Sequence, residues 1–97
     1  MKLFGLNLFA QPQIDVQGAL LLDVRTPAEF AQGSVPGAVN IPLQQLQGRM
    51  RELPKNKKIV TFCRSGGRSG SAAAFLRSAG YQVENGGTVS SVRAALG

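Results

Sequence analysis

The amino-acid sequence predicts an α/β domain with a mainly parallel central sheet and helices on both faces of that sheet. Residues 19–25 and 59–62 are short apolar runs with the hydrophobicity expected of strands that are buried on both faces. These runs are separated by segments whose apolar residues recur at helical spacing, and the connections between the predicted strands and helices are short. Strands that alternate with helices in this way are typical of a parallel sheet.

The first strand, at residues 19–25, is followed by a helix with a clear start signal. Thr26 suits the N-cap position, and the proline that follows it suits the first helical position. Glu29 stands three residues after Thr26 and completes a capping box. We expect this helix to continue through Gln32 and to stop at Gly33.

A brief strand at residues 38–42 precedes a second helix, which Pro54 ends. The core face of this helix is formed by apolar residues at helical spacing, namely Leu43, Leu46, Met50 and Leu53. A basic turn at residues 55–58 then leads into the strand at residues 59–62.

A third helix is predicted from Arg68 onward, with Gly80 in the position that follows a helix C-cap. The apolar face of this helix comprises Ala72, Phe75, Leu76 and Ala79. Residues 81–84 (YQVE) predict a further strand. Thr88 is expected to cap a last helix whose apolar residues are Val89, Val92 and Leu96.

The composition limits the chemistry that the chain can perform. Its 97 residues are expected to form a single domain, residues 1–97, and its formal net charge of +6 favours anionic partners. One cysteine and no histidine exclude an internal disulfide, histidine metal ligands and a Cys–His catalytic pair. We therefore expect neither a metal site nor a cofactor.

The apolar segment at residues 3–10 is interpreted as an N-terminal strand or arm that packs on the domain. Its sequence, LFGLNLFA, is interrupted by Gly5 and Asn7 and has no convincing signal-peptide cleavage site. No apolar run in the sequence approaches the ~20 residues that a membrane span needs. A cytoplasmic location is expected, and the periplasm stays open as the alternative.

The sole cysteine begins the stretch CRSGGRS, which lies between a predicted strand and a predicted helix. The free N–H groups and the dipole at the start of a helix stabilise anions, and a thiolate is an anion. Gly66 and Gly67 permit a positive φ that turns backbone amides inward. Arg64 and Arg68 add positive charge. We therefore interpret Cys63 as an activated nucleophile; the alternative is a small buried core residue.

Other charged residues have weaker interpretations. Asp23 and Arg25 follow the first strand, at the sheet edge where the cysteine stretch also falls, so they either brace that loop or form an ordinary ion pair. A basic cluster is interpreted as a solvated face and comprises Arg49, Arg51, Lys55, Lys57 and Lys58. Nucleic-acid binding is not expected, because no aromatic side chains are interleaved with these charges.

Three motifs, in order and with matching spacing, resemble those of the rhodanese family of sulfurtransferases. Residues 20–43 (LLLDVRTPAEFAQGSVPGAVNIPL) resemble the first motif of that family. Residues 58–69 (KIVTFCRSGGRS) resemble its active-site strand and loop, and residues 80–87 (GYQVENGG) resemble its downstream motif. The resemblance implies a rhodanese-like α/β fold.

The same resemblance implies sulfur transfer by double displacement. Cys63 would take a sulfane sulfur from a donor such as thiosulfate, become a persulfide, and pass the sulfur to cyanide, a thiol or a protein acceptor. Asp23 and Arg25 correspond to a motif pair of the family. The substrate cradle implied by the resemblance consists of Arg64, Ser65, Gly66, Gly67, Arg68 and Ser69. The implied partners include neither nucleic acid nor a membrane.

Two other functions stay open at this point. Cysteine-dependent phosphatases use a related loop with five residues between cysteine and arginine, whereas only four separate Cys63 from Arg68. A non-catalytic binding or sulfur-relay module is the second alternative. The chain departs from the family at Ser34, where histidine is common, and at Ser91, where tryptophan is frequent. These departures affect the outer packing and the substrate mouth rather than the loop.

Overall fold

The computed structural model describes residues 14–97, and its elements follow the predicted order. The strands are β1 (Leu20–Asp23), β2 (Val39–Asn40), β3 (Ile59–Cys63) and β4 (Val83–Thr88). The helices are α1 (Pro27–Ala31), α2 (Leu46–Arg49), α3 (Gly67–Ser78) and α4 (Val89–Leu96), and 3-10 turns at Leu43–Gln45 and Met50–Glu52 flank α2. The arm predicted at residues 3–10 lies outside the described residues.

The four strands form one parallel sheet with the order β2-β1-β3-β4. Strands β1 and β3 are central, and Asp23 pairs in register with Phe62. The carboxyl ends of β1 and β3 therefore meet at one edge of the sheet, as predicted, and Cys63 ends β3 at that edge. This arrangement confirms the predicted fold class.

Side chains of the central strands alternate between two hydrophobic clusters, one on each face of the sheet. The cluster beneath α2 and α3 includes Leu22, Ile59, Cys63, Leu46 and Leu76. The opposite cluster, beneath α4, includes Leu21, Val60, Phe62, Val35 and Val92. Helices thus cover both faces, which is why all five residues of β3 are buried. Within residues 14–97, no helix combines the length and hydrophobicity needed to cross a membrane.

The helix ends confirm the capping signals in the sequence. The hydroxyl of Thr26 accepts a hydrogen bond from the Glu29 amide at 3.1 Å, and the Thr26 amide donates to the Glu29 carboxylate at 2.9 Å. Thr88 caps α4 by accepting from the amide of Ser91 at 3.0 Å. Gly80 follows the C-cap residue of α3, as predicted.

The second helix is less regular than its apolar spacing predicts. Only Leu46–Arg49 is α-helical, and the turns on either side are 3-10. Gly48, inside this segment, weakens the α-helix because glycine loses much backbone entropy on folding. The predicted core face is still used, since Leu46 and Leu53 are both buried.

The fourth strand begins and ends later than the predicted residues 81–84. It extends through Val83–Thr88 because Gly86 allows the backbone of β4 to lie against its neighbours. A Cβ atom at Gly86 would lie 2.7 Å from side-chain carbons of Val60 and Val92. The sequence conceals the second half of this strand, because glycine is depleted in ordinary strands and marks a close backbone approach here.

Substitution of Gly86 by alanine should destabilise the protein. The added methyl group would overlap Val60 and Val92, and overpacking of this kind costs about 1–3 kcal/mol. Gly48→Ala is the matched control, because nothing lies within 4 Å of a Cβ at that position. Urea unfolding should show a lower midpoint for Gly86→Ala and an unchanged or higher midpoint for Gly48→Ala. Equal midpoints for both variants would contradict this packing account.

Candidate active site

Cys63 is the last residue of β3, and α3 begins at Gly67 after a three-residue connection. Gly66 is the N-cap of α3 and has a φ of +97°, a left-handed conformation that favours glycine. Gly66 and Gly67 both permit a positive φ, but only Gly66 of the two adopts one. Gly67 is instead the first helical residue, so α3 begins one residue before the predicted Arg68.

Backbone amides of this loop converge on the sulfur of Cys63. The amide of Gly66 donates to Sγ at 3.0 Å, and the amide of Ser69 donates to Sγ at 3.4 Å. The hydroxyl oxygen of Ser69 lies 3.5 Å from the same sulfur. Cys63 is fully buried, so these protein groups replace water as its hydrogen-bond partners. Such an arrangement stabilises a negative charge on the sulfur.

The net effect of these groups is to lower the pKa of Cys63. Burial raises the pKa of the thiol, because the charged form loses its hydration. The hydroxyl and amide of Ser69, followed by the amides of Gly66 and Ser65, lower the pKa by more than burial raises it. A larger fraction of Cys63 is therefore thiolate at neutral pH than for an ordinary cysteine, and the thiolate is the nucleophile.

The hydroxyl of Ser69 can respond to the charge of the sulfur. When Cys63 is a neutral thiol, its Sγ–H donates to Ser69 Oγ. The Ser69 hydroxyl then donates to the carbonyl of Gly66 at 3.1 Å or to that of Gly87 at 3.2 Å. A thiolate has no proton to donate, so the hydroxyl can rotate and donate to Sγ instead. Ser69 is itself fully buried, and this position keeps its hydroxyl beside the sulfur.

Ser69→Ala should raise the apparent pKa of Cys63. Hydrogen bonds to charged groups contribute about 1.5–3 kcal/mol, so we expect an increase of about one pKa unit or more. The pH dependence of alkylation measures this pKa, and the variant should lose reactivity near pH 7 more than at high pH. Ser65→Ala is the control, because Ser65 contributes only its backbone amide and its side chain is exposed. An unchanged pKa in Ser69→Ala would contradict this assignment.

Arg68 lies beside the loop but pairs with Glu29 of α1. Its two terminal nitrogens donate to the two carboxylate oxygens at 2.7 and 3.0 Å. This pairing with Arg68, helped by the amide of Thr26, holds the pKa of Glu29 at about 2. A Cys63 thiolate would raise the pKa of Arg68, but Arg68 is not among the main groups that lower the pKa of Cys63. The amides and Ser69 therefore stabilise the thiolate more than the arginine does.

Asp23 and Arg25 form a buried ion pair, with Arg25 Nη2 2.7 Å from Asp23 Oδ2. Asp23 Oδ2 also accepts from the hydroxyl of Ser34 at 2.7 Å, and Arg25 donates to the carbonyl of Gly33 at 2.7 Å. Among residues 14–97, no hydrogen bond runs from this pair to residues 64–69. The pair therefore holds the segment that follows α1 in place, and its role in bracing the cysteine loop stays a prediction.

The remaining predicted site residues lie at the surface of the cysteine loop. Arg64 and Ser65 are exposed, and Gly67 opens α3 at the surface. Their backbone forms the loop, as predicted from the sequence, while the side chains of Arg64 and Ser65 face away from the core. Their role in substrate binding stays a prediction.

Two residues that the sequence analysis did not assign to the site also support the loop. The side-chain amide of Asn85, on β4, donates to the carbonyl of Gly66 at 3.4 Å, and its oxygen accepts from the amide of Gly87 at 2.9 Å. Glu29, identified only as a capping residue, holds Arg68. Contacts between residues this far apart in sequence leave no signal in local spacing. The resemblance of residues 80–87 to a family motif was the one available indication for Asn85.

Comparison with known proteins gives consistent matches over most of the chain. The family described as Rhodanese-like domain matches residues 7–90. The chain is 46% identical over 72 residues to a sulfurtransferase of Allochromatium vinosum, a match that covers 74% of this chain and 67% of that protein. It is 39% identical over 69 residues to the thiosulfate sulfurtransferase PspE of Escherichia coli, covering 68% of this chain and 66% of that protein.

A solved structure, a rhodanese with anions from E. coli, superposes with a TM-score of 0.70 at 36% identity. The superposition covers 75% of this chain and 89% of the other. The match therefore extends to the arrangement of the sheet and helices that places the cysteine loop.

Proposed function

The chain belongs to the rhodanese-like domain family, and we propose that it is a thiosulfate sulfurtransferase. Two of its relatives are named as a sulfurtransferase and as a thiosulfate sulfurtransferase. Cys63 is the sulfur carrier in this proposal. The observation that supports it most strongly is the convergence of the Gly66 and Ser69 amides on Sγ of the sole cysteine. These amides can stabilise an anionic sulfur without help from a histidine or a metal ion.

In the first step, the Cys63 thiolate attacks the outer sulfur of thiosulfate. A bond forms between Sγ and that sulfur, the original sulfur–sulfur bond breaks, and sulfite leaves with the electron pair. No proton is needed, because the negative charge of the thiolate passes to the outer sulfur of the new persulfide. The loop amides stabilise an anion in the reactant and in the product, and Ser69 can donate to either.

In the second step, a thiophilic acceptor such as cyanide attacks the outer sulfur of the persulfide. The bond between Sγ and the outer sulfur breaks, thiocyanate leaves, and the electron pair returns to Sγ as the thiolate. A thiolate on a small molecule or on an acceptor protein would take the sulfur in the same way. A low pKa for Cys63 favours this step, because a stabilised thiolate is a good leaving group.

The experiment that tests this function is the formation of thiocyanate from thiosulfate and cyanide by the purified protein. We expect ping-pong kinetics, in which the two substrates bind in separate half-reactions. A reducing compartment such as the cytoplasm is the location that we propose, because it keeps a lone thiol unpaired. Absence of thiocyanate formation over a wide range of both substrates would count against thiosulfate as donor.

Phosphate-ester hydrolysis is less well supported than sulfur transfer. Only four residues separate Cys63 from Arg68, so the loop is short for enclosing a tetrahedral phosphate. A phosphatase also needs a general acid for the leaving oxygen. Among residues 14–97, the carboxyl group that pairs with the loop is that of Glu29. Its pairing with Arg68 keeps its pKa at about 2, which is too low for a general acid near neutral pH.

A further inference from the structure

A cationic cleft of about 340 Å³ borders the cysteine loop. Its arginines are Arg25 of the β1 end, Arg64 of the loop and Arg93 of α4, and the first turn of α4 forms one wall. The cleft adjoins the sulfur carrier through two neighbours of Cys63: Arg64 follows it in sequence, and Thr88, which lines the cleft, pairs with it in register between β3 and β4.

Two of the three arginines in this cleft have no carboxylate partner within residues 14–97. Arg25 is paired with Asp23, but within residues 14–97 neither Arg64 nor Arg93 forms a salt bridge. Arg93 is held in place by one hydrogen bond, from Nη2 to the carbonyl of Ser34 at 3.2 Å, and the rest of its guanidinium is available. In the part of the chain that the structure describes, no carboxylate lines the cleft. The cleft therefore suits a ligand that carries negative charge.

The volume of the cleft is larger than that of the proposed donor, thiosulfate. An anion of about five heavy atoms, such as thiosulfate, occupies on the order of 150 Å³ at the ~30 Å³ that one water takes up in the liquid. Ligand pockets for organic molecules begin at about 300 Å³. An organic thiol with more than one carboxylate would use both the space and the two unpaired guanidinium groups, which bind carboxylates with paired N–H donors.

We propose that this cleft is the acceptor subsite and that Arg64 and Arg93 select small organic thiols that carry carboxylates; the inference rests on the proposed sulfur-transfer function. The acceptor thiol loses its proton to solvent, and its thiolate attacks the outer sulfur of the Cys63 persulfide. The bond between that sulfur and Sγ breaks, Sγ recovers the electron pair, and the acceptor leaves as an organic persulfide. No oxidant or reductant is consumed.

The test compares two acceptors on protein that has first been loaded with thiosulfate and freed of excess donor. Mercaptosuccinate carries two carboxylates, and 2-mercaptoethanol carries none. The rate at which the persulfide mass disappears gives kcat/KM for each acceptor, calculated from the concentration of its thiolate form. The ratio of the two values should fall about threefold in Arg93→Gln and about tenfold in Arg64→Gln/Arg93→Gln, in keeping with exposed ion pairs. High salt should reduce the ratio in the parent protein.

Arg51→Gln is the matched control, because Arg51 is exposed and lies away from the cleft. It should leave the acceptor ratio unchanged. An acceptor ratio that is unchanged in Arg93→Gln, or that falls equally in Arg51→Gln, would overturn the inference. A loss of rate confined to the thiosulfate-loading step would also overturn it. These outcomes differ from a failure of the proposed function, in which no persulfide forms in the parent protein at all.

Discussion

Cys63→Ser should abolish sulfur transfer while leaving the fold intact. Serine is close to cysteine in size, and residue 63 is buried without a disulfide, so the β3 core should accept the change. A serine hydroxyl cannot carry a sulfane sulfur under these conditions, and no other cysteine exists in the chain. We therefore expect thiocyanate formation to fall to the background rate.

The measurement is the steady-state rate with thiosulfate and cyanide, accompanied by circular dichroism to verify folding. Ser65→Ala provides a loop variant that should retain most activity, because the Ser65 side chain is exposed and contributes no hydrogen bond to Sγ. Persistent turnover by folded Cys63→Ser protein would remove Cys63 from its role as carrier.

Insertion of one glycine between Gly66 and Gly67 should cause the second largest loss. The insertion lengthens the loop and moves the Ser69 amide and the start of α3 relative to Sγ. Removal of a donor that stabilises a developing anion commonly lowers kcat by about 10²–10³. We expect a loss of this size in sulfur transfer and a higher apparent pKa for Cys63.

The matched control is a glycine inserted between Asn56 and Lys57, in the exposed turn before β3. This control lengthens the chain by the same amount at a site remote from the cysteine loop, and it should keep activity near that of the parent. If both insertions had equal effects on the rate, the loss would reflect general destabilisation and not the geometry of the amides around Sγ.

Much of the architecture could be predicted because each signal was local. The run at residues 59–62 is apolar throughout, since β3 lies between two covered faces of the sheet. The capping box of Thr26 and Glu29 fixed the start of α1 to the residue. The position of Cys63 between a strand and a helix likewise indicated amides around its sulfur, and those of Gly66 and Ser69 are there.

The parts that could not be predicted depend on contacts between distant segments. Strand β4 contains Gly86 because Val60 and Val92 leave no room for a side chain, a constraint that is visible only in three dimensions. Arg68 was predicted to add positive charge to the cysteine loop, but no local pattern indicated that its guanidinium would pair with Glu29 of α1. The burial of Ser69, which places a hydroxyl beside Sγ, also arises from packing of α3 on β3 and not from any local pattern.

The most direct test of the central claim is the intact mass of the protein after incubation with thiosulfate. The account predicts a gain of one sulfur atom, located on Cys63 by peptide mapping and removed by cyanide with formation of thiocyanate. The same preparation should hydrolyse aryl phosphates no faster than background. No gain in mass, together with clear phosphatase turnover that depends on Cys63, would contradict the account.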